Sequence, residues 1–228
     1  MAAFLLAASG LIAAPAWAGD VVGSVKFEPN RLGKPPMRNQ GFLPRIENPL
    51  RPVKSFDPRG WMVVVLEGGP AAEDASSPTG TIRYELVGES FVIPLLAVVA
   101  GTQVELKNLG FGAPTLSTPD QPTLLEEVVL DSASVKAFTV TEPLQPVTIR
   151  AQGSPHLQGQ VVAFPHRYFS LVDERGGFEI PNVPPGQWTA RVWYRDGWVK
   201  GVSESVVVGP RRSSVTVEVS PVLEVERP

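Results

Sequence analysis

The stretch Tyr168–Tyr194, YFSLVDERGGFEIPNVPPGQWTARVWY, says most about how this chain folds. It carries two turn signals. DERGG (Asp173–Gly177) offers glycines where positive φ is needed, and NVPPG (Asn182–Gly186) stiffens a second turn with two prolines. Between them Phe178 and Ile180 fall on one face of a strand. After them, in QWTARVWY, Trp188, Ala190, Val192 and Tyr194 share one face, while Arg191, Trp193 and Arg195 share the other. The stretch reads as three strands joined by tight turns.

The same period of two recurs elsewhere. TIRYELV (81–87) places Ile82, Tyr84 and Leu86 together, TQVELKN (102–108) places Val104 with Leu106, and SSVTVEV (213–219) aligns Val215, Val217 and Val219. Helical periodicity is nearly absent; TLLEEVVL (123–130) has room for two helical turns at most. The expected class is all-β, built from two β-sandwiches.

Composition narrows the chemistry. The 228 residues are 43% hydrophobic and 19% charged, with a formal net charge of -3. That balance gives no electrostatic footprint for nucleic acid or anionic lipid. With no cysteine there is no disulfide, thiolate ligand or lipid-modified cysteine. The opening run, MAAFLLAASGLIAAPAWAGD, ends in Ala16-Trp17-Ala18, the small-x-small pattern of a signal-peptidase site. Residues 1–18 are therefore expected to be a signal peptide. The mature chain would start near Gly19 and reside in the periplasm or be secreted. The n-region lacks Lys and Arg, and an uncleaved N-terminal anchor is the competing reading; no other segment is expected to insert stably in a membrane.

Two segments punctuate the chain. Residues 29–59 are proline-rich with little alternation, and interspersed Phe42, Leu43, Ile46, Leu50 and Phe56 suggest an extended arm packed on the body. EGGPAAEDASSPTG (67–80) separates WMVVVLE (61–67) from the strand at 81–87.

Within the opening stretch, Asp173, Gly176, Phe178 and Ile180 fit the pattern D-x-x-G-x-F-x-I, and V-P-P-G followed by Trp188 completes it. This resembles the carboxypeptidase regulatory-like (transthyretin-like) β-sandwich, a family that implies a structural domain without catalytic residues. Its first strands look like GSVKFE (23–28) and WMVVVLEGG (61–69), far upstream. The expected organisation is a discontinuous sandwich over 19–79 and 165–220, with residues 80–164 inserted and a tail over 221–228. Insertion at a hairpin tip is the tolerated kind.

The insert in turn resembles a cupredoxin through ESFVIPLLAVVAGTQVELKN (89–108). The pairing of the two resembles bacterial exported plastocyanin-like proteins. The cupredoxin family implies a copper centre of two imidazoles, a thiolate and a weak thioether. Its first His would fall near Pro114, and its C-x-x-H-P-x-M motif, anchored on Pro155, places Ala151 at Cys, Ser154 at His and Leu157 at Met. Moving one residue to use His156 places Gly153 at Cys and still supplies no Met. The expectation is a cupredoxin-like domain whose copper ligands are gone, with no cofactor.

Little other chemistry has parts. His156 and His166 are ten residues apart, with no carboxylate at ligand spacing. Ser154 beside His156 lacks a nucleophile elbow and an orienting acid. Glu126-Glu127 and Asp173-Glu174 read as solvated charges. Gly110-Phe111-Gly112 lacks the third glycine of a dinucleotide loop. The reading is a non-catalytic exported binding or scaffold protein of the bacterial envelope, presenting a sandwich surface to another envelope protein. Trp193, Arg191, Arg195, Trp198 and Tyr168 are the candidate surface. Trp193 has two readings: packing between the domains, or a platform for protein or sugar. The competing class is a carbohydrate-binding module, which requires Trp193, Trp198 and Tyr168 to be exposed and coplanar. A copper electron carrier is nearly eliminated by the missing cysteine.

Overall fold

The structure is a computed structural model that describes residues 18–27, 57–69, 76–78, 80–219 and 223–228. Residues 1–17 of the expected signal peptide and residues 29–56 of the expected arm lie outside the described residues.

The strands are β1 (Gly19–Phe27), β2 (Met62–Glu67), β3 (Thr81–Val87), β4 (Ser90–Phe91), β5 (Leu95–Val99) and β6 (Thr102–Asn108). Next come β7 (Thr115–Ser117), β8 (Val128–Val129), β9 (Val135–Val140), β10 (Val147–Ala151), β11 (Ser154–Phe164) and β12 (Phe169–Leu171). The chain closes with β13 (Gly177–Val183), β14 (Gly186–Tyr194), β15 (Gly197–Val208), β16 (Ser213–Val219) and β17 (Val225–Glu226). A 3-10 turn, Arg59–Trp61, leads into β2.

These strands form four sheets: β13-β1-β16, β12-β2-β14-β15-β17, β5-β11-β10-β7-β8 and β4-β3-β6-β9, referred to as sheets 1 to 4. Sheets 1 and 2 enclose one core, containing Val21, Val25, Met62, Val64, Leu66, Ile180, Trp188 and Val192. Sheets 3 and 4 enclose another, containing Tyr84, Leu86, Val98, Val104, Leu106, Ile149 and Val161. A third cluster joins sheet 2 to sheet 3: Val63, Val65, Trp193 and Trp198 meet Leu95, Ala97, Val162 and Phe164. The molecule is therefore two β-sandwiches stacked face to face, four sheets deep.

This stacking explains the sequence patterns. Where the inner sheets meet they are covered on both faces, so the strands there need apolar residues at both parities. In β2, Met62, Val64 and Leu66 enter the first core, while Val63 and Val65 enter the third. Strand β5 divides in the same way, with Leu96 and Val98 on one side and Leu95 and Ala97 on the other. The outer strands β3 and β6 alternate, because one of their faces meets solvent.

The first sandwich is discontinuous in sequence. Strand β1 pairs antiparallel with β13 and parallel with β16, and β2 pairs antiparallel with β14. Both turns of the stretch 168–194 are built as its residues require. The Asp173 carboxylate accepts hydrogen bonds from the backbone N–H of Arg175 (2.8 Å) and Gly177 (2.7 Å). Asn182 sits at φ 56°, a region Asn tolerates, and the Trp188 indole donates to the Pro184 carbonyl at 2.9 Å. Pro181 falls on β13, an edge strand, where a missing donor costs no ladder bond.

Residues 123–130, which had room for two helical turns at most, hold no helix; Leu125 and Leu130 reach into the core as anchors of a turn-rich segment that includes β8. One expectation is corrected. Residues 225–226, expected in a tail, form β17 against Trp198 and Val199 of β15.

Candidate functional site

The aromatic surface read from sequence is interior. Trp193 is 0% exposed, Trp198 6% and Tyr168 2%. Period two correctly places Trp193 opposite Trp188, but that face of β14 is covered by sheet 3. Trp193 meets Phe164 at 5.9 Å and Trp198 at 5.2 Å, both edge-on, and its indole donates to the Arg195 carbonyl at 2.8 Å. Tyr168 packs edge-on against Trp188 in the first core. The rings are neither exposed nor coplanar, so they cannot form a flat sugar platform. The arginines serve the seam between sandwiches. Arg191 lies 4.2 Å above the Trp198 ring and pairs with Glu67 at 3.0 Å, and Arg195 lies 4.8 Å above the Trp61 ring.

The four positions aligned with copper ligands sit in or beside the core of the second sandwich. Ala151 and Leu157 are buried among apolar side chains, and Pro114 and Ser154 are half-buried. Ala151 pairs with both Ser154 and Leu116, and the chain reverses through Gln152-Gly153, with Gly153 at φ 77°. The segment AQGSPHLQGQ is thus a tight hairpin that runs directly into β11. His156 projects into solvent and meets Glu89 at 2.8 Å. His166 is buried elsewhere, where its Nδ1 accepts the Tyr168 backbone N–H at 3.3 Å, and burial lowers its pKa. Among the described residues no group of three His, Cys, Asp or Glu side chains could hold a metal ion.

The same end of this sandwich carries the Gly110-Phe111-Gly112 loop, which in sequence stands out only as one glycine short of a dinucleotide loop. Strand β6 ends at Asn108, which is 1% exposed. Its side-chain amide donates to the carbonyls of Gly112 (2.7 Å) and Leu130 (2.8 Å), and its oxygen accepts the Gly110 N–H (2.8 Å). Three bonds from one buried side chain fix the loop 109–112. At its tip Phe111 is 104% exposed.

Strand register gathers other apolar residues around this tip. Strands β3 and β6 run parallel and finish together, so Val87 lies beside Leu109, whose N–H donates to the Leu86 carbonyl. Val135 pairs with Lys107, and Val129 precedes the Leu130 that Asn108 holds. Of the seven exposed large hydrophobics among the described residues, Val87, Val92, Leu109, Phe111, Val129 and Val135 belong to this end of the second sandwich; only Val207 lies elsewhere. Apolar exposure concentrated in this way makes this end the candidate interaction surface, whereas scattered single residues need no explanation. The available signal was an aromatic flanked by glycines shortly after a strand-ending Asn.

Among the described residues no helix is long and apolar enough to cross a membrane. No family model and no curated protein matches the chain. Solved structures similar to it include amicyanin from Paracoccus versutus, at 15% identity over 44% of this chain and 96% of that one, with a TM-score of 0.33. Two reduced amicyanin variants match likewise. One is 15% identical over 43% of this chain and 98% of its own, the other 18% identical over 42% and 96%, each with a TM-score of 0.33.

Proposed function

We propose that the chain is a non-catalytic binding or scaffold protein of the bacterial envelope, which presents the apolar end of its second sandwich to another envelope protein. The observation that carries this reading is Phe111, fully exposed on a loop held by three hydrogen bonds from buried Asn108. An aromatic on a fixed loop loses little conformational freedom on docking, which is why such residues dominate binding energies. Export rests on the Ala16-Trp17-Ala18 pattern, and a chain without disulfides fits a bacterial periplasm or cell surface. Function without copper rests on the missing thiolate and on the apolar core residues Ala151 and Leu157 at two of the ligand-equivalent positions.

The test compares the mature chain with a Leu109→Ser, Phe111→Ser double variant. Both should unfold at urea midpoints corresponding to stabilities within about 0.5 kcal/mol, because exposed side chains contribute little to folding. The wild type should retain a partner from envelope extract that the variant does not. Equal retention by both would sink the reading.

A further inference from the structure

Sheet 4 ends on β9, and the outer edge of that strand is open. Strand β9 pairs with β6 in an unbroken antiparallel register, from Lys107↔Val135 to Thr102↔Val140, and no described strand lies on its other side. Asn108 donates to the Ser134 carbonyl at 3.2 Å and Gly101 to the Val140 carbonyl at 2.8 Å, so the even-numbered residues turn their backbone groups toward β6. Val135, Ala137 and Thr139 therefore aim their N–H and C=O groups outward, where they have no hydrogen-bond partner among the described residues. All three side chains are exposed, Val135 at 48%.

Most other edges of the molecule are guarded. A row of unpaired backbone groups is a template for another strand, which proteins blunt with short strands, proline, bulges or a covering element. Strands β4, β8 and β17 have two residues each and β12 has three. Strand β13 carries Pro181 and the positive-φ Asn182, every residue of β5 is buried, and β15 lies against β16. Strand β9 has six residues, with neither a proline nor a bulge.

Its sequence also suits pairing with itself. Around a two-fold axis at Ala137, antiparallel pairing sets Val135 opposite Thr139 of the second copy and Ala137 opposite Ala137. Every outward N–H of one strand then faces an outward C=O of the other. The side chains agree with this register: a β-branched residue meets a β-branched residue, and the smallest meets itself. Lys136, the charged residue of the strand, falls opposite Phe138 of the second copy, so no like charges oppose. We propose that two copies of the chain associate β9 to β9 about this axis, joining their two copies of sheet 4 into one continuous sheet. One strand pair buries less than the roughly 1,200–2,000 Å² of stable interfaces, so the dimer is weak and forms reversibly with concentration.

The experiment is sedimentation velocity of the mature chain from about 1 μM to 1 mM, the range in which weak association is read. A reversible monomer–dimer equilibrium is expected. Ala137→Pro should weaken it by about tenfold or more, because the variant lacks the outward N–H at the axis; an edge strand tolerates proline where that N–H does not serve its own sheet. Two further variants test the register at exposed positions. Val135→Glu with Thr139→Glu sets like charges opposite each other across the axis, and Val135→Glu with Thr139→Lys sets opposite ones. The second should dimerise about tenfold or more tightly than the first. Leu109→Ser with Phe111→Ser should dimerise like the wild type, which separates this edge from the protein-docking end. A wild type that stays monomeric throughout, unchanged association in Ala137→Pro, equal association of the two charge variants, or loss of the dimer in the Leu109, Phe111 variant would each overturn the proposal.

Discussion

A single buried side chain, Asn108, decides whether the second sandwich has a presentable end. Replacing it with alanine leaves the Gly110 N–H and the Gly112 and Leu130 carbonyls without their partner. At roughly 0.5–1.5 kcal/mol net for each bond, Asn108→Ala should destabilise the protein by about 2–4 kcal/mol and free the 109–112 loop. Urea denaturation together with limited proteolysis at that loop would check both effects. His166 makes a second residue-level prediction. Its pKa lies below the ordinary value of 6.5 because burial penalises the charged ring, so the unfolded chain takes up a proton first as pH falls. Stability should therefore decline from about pH 7.5 through 6.5 until the folded pKa is reached, then cease to depend on this group. In His166→Gln that part of the pH dependence should vanish. An unchanged slope of urea midpoint against pH would contradict it.

Among the elements, the contact between sheets 2 and 3 fixes how the sandwiches stack, and Phe164 is its hub. The ring lies 5.0 Å from Phe169, 5.9 Å from Trp193 and 6.3 Å from Trp198, and the residue is fully buried. Phe164→Ala should cost about 3–5 kcal/mol, the usual range for emptying a large core site. It should also separate the unfolding of the two sandwiches, visible as a second calorimetric transition. The strands that form this contact are legible in the sequence. WMVVVLE is apolar at both parities because both its faces are covered, and QWTARVWY assigns its faces correctly. What covers a face is not legible. Period two says that Trp193 opposes Trp188, but a tryptophan flanked by arginines reads equally as a platform in solvent or as packing whose arginines lie over neighbouring rings. Only the partner sheet, drawn from strands well upstream, distinguishes them. The Phe111 tip is hidden for a related reason, since its meaning depends on where β3, β6 and β9 come together.

For the whole molecule, the first sandwich draws its strands from both ends of the chain. Replacing residues 81–164 by a short Gly/Ser bridge should leave β1, β2 and β12 to β17 able to fold. It would also bare the face of sheet 2 that holds Val63, Val65, Trp193 and Trp198. The excised protein should therefore show β-sheet circular dichroism but self-associate in size-exclusion chromatography, as an uncovered apolar face requires. A monomeric, unstructured product would refute that expectation. If function resides in the docking end of the second sandwich, Phe111 must touch a partner in the living cell. A photo-crosslinking amino acid placed at Phe111 reports that contact. The control position is Val207, which is also exposed, at 75%, but lies on the first sandwich. One discrete adduct with an envelope protein is expected from position 111 and none from 207. No adduct at 111, or the same adduct pattern from both positions, would contradict the docking role.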